Sequence, residues 1–136
     1  MGILDIFKKW EPDTTREPPP KEDWPDHVTT LKKPKEFNKF IDKYPLAVVD
    51  FWAPWCQPCK MVDPRVRELS KMYKRKVAFG KVNVGDSKEI ARKYHIMAIP
   101  NLLVFSYGKK VTKMTGVKQV GDYKDKIDGL LKRFEE

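Results

Sequence analysis

The run PLAVVDFWA at residues 45–53 constrains the fold of this 136-residue chain most, because it is almost continuously apolar. Such a run is typical of a strand that is buried on both faces of its sheet. A strand of this kind needs other elements packed over each face. The run therefore predicts a layered α/β fold, and Asp50 is the one carboxylate inside it.

The segments around this run alternate between helical and extended patterns. Helical periodicity occurs in KPKEFNKFIDKY, CQPCKMVDPRVRELSKMY, DSKEIARKYHI and VGDYKDKIDGLLKRF. Extended patterns occur in HVTTL, in VAFGKVNV and in IPNLLVFSYGKKVTKMTGV, which predicts a hairpin around YGKK. Early strand–helix–strand alternation predicts parallel pairing, and the late hairpin predicts antiparallel strands at an edge. We expect a mixed sheet of about five strands with helices on both faces, and a kink in the second helix at Pro64.

The first 26 residues differ from the rest of the chain. Residues 11–26 contain five prolines and many charges, which predicts a loop or an extended linker. Before it, the apolar side chains of MGILDIFKKW have the spacing of a short amphipathic helix. We divide the chain into an N-terminal extension at 1–26 and a domain at 27–136. The apolar stretch is too short for a signal peptide, and no run suits a membrane span, so we expect a cytoplasmic protein.

Positive charge is concentrated in the second part of the chain. The net formal charge is +9, and residues 60–76 alone carry seven bases against two acids. Such a patch suits an acidic protein or nucleic acid. No basic-aromatic recognition motif accompanies it, so we interpret it as a solvated helix face and predict no nucleic-acid binding.

The only two cysteines, Cys56 and Cys59, open the helix that follows the buried run. A helix N-terminus carries unpaired N–H groups and a partial positive charge, which favour a thiolate over a thiol. We expect Cys56 to lie nearest the surface, with Cys59 one turn further on and within reach. Cys56 would attack a substrate disulfide, and Cys59 would then resolve the mixed disulfide.

Asp50 and Lys81 are candidates for proton transfer at the second step. Burial would raise the pKa of the Asp50 carboxyl, and such a group can take up the proton of a buried thiol. Lys81 comes close to that carboxyl if the two buried strands are neighbours. A solvated strand edge for Asp50, or a surface position for Lys81, is the alternative.

At these residues the chain resembles the thioredoxin family over about residues 27–136. The motifs that carry the resemblance are VVDFWAPWCQPCK, MVDPRVREL, GKVNV, AIPNLLVF and TGV. The resemblance implies the thioredoxin fold, a three-layer α/β/α arrangement, with Lys81 as the buried lysine and a cis bond before Pro100. It also implies disulfide-reductase activity on disulfide-containing proteins, with a thioredoxin reductase or an equivalent electron donor.

The resemblance also implies a set of substrate-binding residues around the dithiol. A cis Ile99–Pro100 bond would leave the backbone of Ile99 free to pair with an extended substrate. Gln57 stands where thioredoxins usually have glycine, which bears on the reduction potential. The candidate substrate-binding residues are Trp55, Gln57, Pro58, Ile99, Pro100 and Gly116.

Three other interpretations are a metal site, a disulfide oxidase or isomerase, and a binding subunit. For a metal site, a single CxxC supplies two ligands whereas structural zinc needs four, and His27 and His95 are the only histidines. We therefore predict no metal and no other cofactor. A less reducing dithiol would make the chain a disulfide oxidase or isomerase, and an idle dithiol would make it a binding subunit.

Overall fold

The structure described here is a computed structural model covering residues 10–135, which contain five strands and four α-helices. The strands are β1 (Thr29–Thr30), β2 (Ala47–Trp52), β3 (Ala78–Asn83), β4 (Asn101–Ser106) and β5 (Lys109–Thr115). The helices are α1 (Pro34–Lys43), α2 (Gln57–Met72), α3 (Lys88–Lys93) and α4 (Val120–Arg133). Within these residues no helix is both long and apolar enough to cross a membrane.

The five strands form one mixed sheet in the order β1-β3-β2-β4-β5. Strands β1 and β2 each pair with β3 in parallel, whereas β4 is antiparallel to both β2 and β5. The expected parallel start and antiparallel hairpin are therefore confirmed. In the central strand β2, Asp50 is in register with Lys81 of β3 on one side and with Leu102 of β4 on the other.

Two apolar clusters cover the two faces of the sheet and make three layers. Val48 belongs to the cluster under α2 and α4, together with Leu69 and Ile127. Val49 belongs to the opposite cluster, with Phe37 of α1. Because successive side chains of a strand alternate between faces, Asp50 lies on the face of Val48, beneath α2 and α4. The fold thus directs the one acidic residue of β2 toward the helix that begins at the cysteines.

Helix α2 runs through Pro64 without ending there. The predicted kink at this proline stays a prediction. The N-terminal half of α2 carries Cys59 and Asp63, and the C-terminal half buries Val66 and Leu69 in the core. The buried half fixes how the helix lies on the sheet, and so fixes where its first turn points.

Residues 10–26 run along the domain and contact it at several places. The ring of Trp10 packs edge-on against Phe134 at the end of α4, with 5.4 Å between centroids. The guanidinium of Arg16 lies 4.0 Å from the centroid of Tyr107, in the β4–β5 turn. A short 3-10 turn at Lys21–Asp23 then brings Trp24 onto Tyr44. Most of the amphipathic segment predicted at 1–10 lies outside the described residues.

Candidate active site

Cys56 and Cys59 form a disulfide at the start of α2, with 5.3 Å between their Cα atoms. Cys56 is the N-cap residue of the helix, and its Sγ accepts a hydrogen bond from the backbone N–H of Cys59 at 3.2 Å. Pro58 occupies the first turn, where its missing N–H removes no helical hydrogen bond. The pair can therefore open and close across a single helical turn.

Both sulfur-bearing side chains are buried, with Cys56 5% exposed and Cys59 3% exposed. The two cysteines are almost equally buried, so the expectation that Cys56 would lie nearest the surface stays a prediction. Ile99 and Trp52 pack against the pair, and the Cys56 Sγ lies 3.9 Å from the carbonyl oxygen of Ile99. Packing by a segment 43 residues further along the chain accounts for a burial that the CxxC spacing did not reveal.

The side chain of Asp50 lines a cavity of about 270 Å³ behind the disulfide. The residues around this cavity are Asp50, Trp52, Cys59, Lys60, Asp63 and Lys81. Asp50 is 3% exposed, and its Oδ1 is buried without a hydrogen-bond partner in the described part of the chain. The carboxyl in the core strand and the second cysteine thus share one small space.

The electrostatics of this cavity favour the protonated form of Asp50. Burial is the largest cause, and it raises the pKa of the Asp50 carboxyl from 3.8 to about 7. The nearby carboxylate of Asp63 raises it further, and the ammonium of Lys81 opposes both effects. A carboxyl with a pKa near 7 can both accept and release a proton at neutral pH.

Lys81 is half-buried rather than solvated at the surface. Its strand β3 is the direct neighbour of β2, which is the arrangement that the sequence analysis required for Lys81 to come close to Asp50. Its Nζ lies 5.4 Å from the ring centroid of Trp52, within range of a cation–π interaction. Lys81 therefore supplies the cavity with a positive charge held over an aromatic wall.

The Ile99–Pro100 peptide bond is cis, as the family resemblance implies. The carbonyl of Pro100 accepts a hydrogen bond from the N–H of Gly116 at 2.9 Å, and the hydroxyl of Tyr123 donates to the Gly116 carbonyl. Gly116 has φ +89°, a conformation that favours glycine. Pro100 and Gly116 are thus joined, whereas Trp55, Gln57 and Pro58 are exposed next to Cys56 in the sequence.

Sequence reasoning missed several residues of this region. Trp52, Lys60 and Asp63 line the cavity although only Asp50, Cys59 and Lys81 were selected. Met97 and Val117 are exposed apolar side chains next to the segments of Ile99 and Gly116. The signal that was available for Asp63 is its spacing of four residues from Cys59, which places both on one helix face.

No three His, Cys, Asp or Glu side chains between residues 10 and 135 come together as candidate metal ligands. A buried carboxyl beside a CxxC disulfide at a helix N-terminus, with the residue before a cis-proline packed against the sulfurs, defines a thiol–disulfide oxidoreductase site.

Comparison with known proteins identifies the family. The family model described as Thioredoxin matches residues 28–129, and the chain belongs to the thioredoxin family. Thioredoxin-1 of Saccharomyces cerevisiae is 40% identical over 89 residues, which are 65% of this chain and 85% of that protein. The M-type chloroplastic thioredoxin of Brassica napus is 43% identical over 84 residues, 62% of this chain and 48% of that protein. The chain thus spans about half the length of the Brassica relative.

A solved structure of Plasmodium falciparum thioredoxin has the same fold. It is 32% identical, has a TM-score of 0.70, and covers 75% of this chain and 98% of its own. Family membership, this likeness and the Cys56–Cys59 disulfide together support thiol–disulfide reductase function.

Proposed function

We propose that the chain reduces disulfide bonds in other proteins, with Cys56 as the nucleophile and Cys59 as the resolving thiol. The observation that carries this proposal is the shared cavity of Cys59, Asp50 and Lys81 directly behind the disulfide. A dithiol at a helix N-terminus can attack a disulfide, and a nearby proton acceptor lets the second thiol complete the exchange.

The first step forms a mixed disulfide. The Cys56 thiolate attacks one sulfur of the substrate disulfide, the substrate S–S bond breaks, and the other substrate sulfur leaves as a thiolate. The N–H of Cys59, which lies 3.2 Å from the Cys56 Sγ, would stabilise the attacking thiolate in the reduced protein.

The second step releases the substrate. Asp50 takes the proton of Cys59, and the resulting thiolate attacks the Cys56 Sγ. The Cys56–substrate bond breaks, the second substrate sulfur leaves as a thiolate, and the Cys56–Cys59 disulfide forms in place of the substrate disulfide. The two substrate thiolates take their protons from Asp50 and from the solvent. Lys81 would stabilise the Asp50 carboxylate before the Cys59 proton arrives.

The substrate would lie across the exposed side of the dithiol. Trp55 is 73% exposed and offers an apolar surface beside Cys56, and Gln57 and Pro58 continue that surface along the first turn of α2. Ile99 offers its backbone to an extended segment, and Pro100 and Gly116, whose backbone groups bond to each other and to Tyr123, form the surface next to it. All of these proposed substrate-binding residues belong to the catalytic domain that we propose at 27–136, and none to the extension at 1–26.

The regeneration of the dithiol needs an electron donor. We infer a thioredoxin reductase or an equivalent donor of two electrons, as expected of a member of this family. A protein that works through a reduced dithiol suits a reducing compartment, and on that ground we propose the cytoplasm.

Gln57 favours one second candidate function, that of a disulfide oxidase or isomerase. The residues between the cysteines influence the stability of the thiolate and thus the reduction potential. An exposed amide in this position is a specific departure from the glycine of the family pattern.

The reduction potential of the Cys56–Cys59 pair tests the proposal. We expect a value near roughly −270 mV on equilibration with a redox buffer, together with turnover of a protein disulfide. A value between roughly −180 and −120 mV would favour the oxidase or isomerase, with Gln57→Gly as the variant that restores a reducing potential. Absence of a reversible couple would contradict both functions.

A Cys59→Ser variant tests the order of the two cysteines. It should accumulate a mixed disulfide through Cys56, whereas Cys56→Ser should accumulate none. The opposite pattern would show that Cys59 is the nucleophile.

A further inference from the structure

A second carboxylate, Asp63, lies in the cavity of Asp50, and the proposed exchange reaction does not use it. Asp63 follows Cys59 by four residues on α2, so the two side chains lie on the same face of the helix. Its side chain is 46% exposed, and it lines the cavity together with Asp50, Cys59 and Lys81. A negative charge is thus built into the wall of the space in which Cys59 must lose its proton.

Arg67 forms an exposed ion pair with this carboxylate. Its Nη2 lies 3.3 Å from Oδ2 of Asp63, one helical turn further on. The guanidinium side chain is 62% exposed, and exposed pairs of this kind are weak and screened by water. Arg67 therefore orients Asp63 and neutralises only part of its effect on a group buried behind it.

Charged and titratable groups from three elements face Asp50. Lys60 and Asp63 face it from α2, Lys81 from β3 and the hydroxyl of Tyr123 from α4. A second cavity continues beyond Asp63, where Asp26, His27, Ser70 and Lys71 join Asp63, Arg67 and Lys81. Repulsion from the Asp63 carboxylate raises the pKa of the Asp50 carboxyl, and attraction by the Lys81 ammonium lowers it.

We propose that Asp63 is a positioning residue for proton transfer, whose carboxylate makes Asp50 a stronger base toward the Cys59 thiol. This inference rests on the proposed function of Asp50. A buried thiol holds its proton tightly, and transfer is most efficient when the acceptor has a comparable proton affinity. Two carboxylates that share a small space raise the proton affinity of the more buried one.

The test is the titration of Asp50 itself in the oxidised protein, followed by the NMR chemical shift of its carboxyl carbon. We expect Asp63→Asn to increase the acid ionisation constant of Asp50 roughly threefold or more, which lowers its pKa. Glu68→Gln is the matched control, because it removes one exposed acid from the same helix and Glu68 does not line the cavity. In the control variant the pKa of Asp50 should be unchanged.

The resolving step supplies the second readout. In the Asp63→Asn variant, the acid limb of the pH profile of the resolving step should move to lower pH. The rate of that step on the alkaline plateau should fall about twofold or more, because Asp50 is then a weaker base. A merely structural defect would lower the rate without moving the limb. His27→Gln, assayed in parallel, shows whether the limb depends on His27, which lines the neighbouring cavity.

An unchanged Asp50 titration in Asp63→Asn overturns the inference, even if the wild-type chain is a full reductase. An equal shift in Glu68→Gln also overturns it, since the effect would then be one of net charge. A wild-type chain without reductase activity would contradict the proposed function instead, and the NMR titration would still decide whether Asp63 controls Asp50.

Discussion

Asp50 is a carboxyl that the chain keeps inside its central strand at a cost in stability near neutral pH. Its pKa is raised from 3.8 to about 7 in the folded protein, chiefly by burial. A raised pKa means that the folded state binds the proton more tightly than the unfolded state does. The stabilisation from that proton is fully present below about pH 3.8 and is lost as the pH rises through about 7.

Asp50→Asn removes this titration and should stabilise the protein at pH 8. We expect the free energy of unfolding at pH 8 to rise by roughly 2 to 4 kcal/mol, because no charge has to be held in the core. At pH 4 the variant and the wild type should be nearly equal. Denaturant unfolding at several pH values measures both, and parallel pH curves for the two proteins would contradict the prediction.

The sequence was sufficient to select Cys56, Cys59, Asp50 and Lys81, because each departs from the pattern of its own segment. A carboxylate in an apolar run and a lysine in a second one are visible without a structure. Asp63 is not visible in this way, since acids are ordinary in a charged amphipathic helix. Its importance depends on how α2 lies over β2, which long-range packing decides.

At the scale of elements, α1 shows how a short helix is held to the sheet. The ring of Phe37 is 1% exposed and lies 5.4 to 6.3 Å, centroid to centroid, from the rings of Phe51, Tyr94 and Phe105. These rings come from β2, the end of α3 and β4. One side chain of α1 therefore ties together elements that are far apart in the sequence.

Phe37→Ala should lower the free energy of unfolding by about 3 to 5 kcal/mol, because it leaves a cavity among these rings. Phe40→Ala is the control on the same helix: this ring is half-buried, and its loss should cost less. Denaturant unfolding gives both values. Equal losses would mean that the aromatic cluster contributes no more than a half-buried ring.

Element types were predictable where periodicity was strong, and element bounds were less so. The buried strands β2 and β3 and the helices α2 and α4 lie within the segments selected for them. The segment DSKEIARKYHI forms helix only at Lys88–Lys93, and His95 follows it with φ +52°. The positive φ at His95 turns the chain away from the helix, and nothing in the local periodicity indicated where that turn would fall.

At the scale of the whole molecule, Trp55 beside the dithiol and Trp24 in the extension have different tasks. Around the dithiol, Trp55 is 73% exposed. In the extension, Trp24 is half-buried, its ring centroid lies 4.8 Å from that of Tyr44, and its Nε1 donates to the carbonyl of Pro19. The hydroxyl of Tyr44 in turn donates to the carbonyl of Asp23. The extension is thus attached to the domain by packing, and not only by covalent continuity.

The two tryptophans should therefore respond to substitution in opposite ways. Trp24→Ala removes packed surface and should lower the free energy of unfolding by about 1 to 3 kcal/mol, without changing the reduction potential. Trp55→Ala removes an exposed ring, so stability should change by less than about 0.5 kcal/mol while kcat/KM for a protein disulfide falls several-fold. Denaturant unfolding and a disulfide-reduction assay on both variants separate the two roles. If Trp55→Ala destabilised the protein and left kcat/KM unchanged, this tryptophan would belong to the structural framework and the proposed substrate surface would have to lie elsewhere.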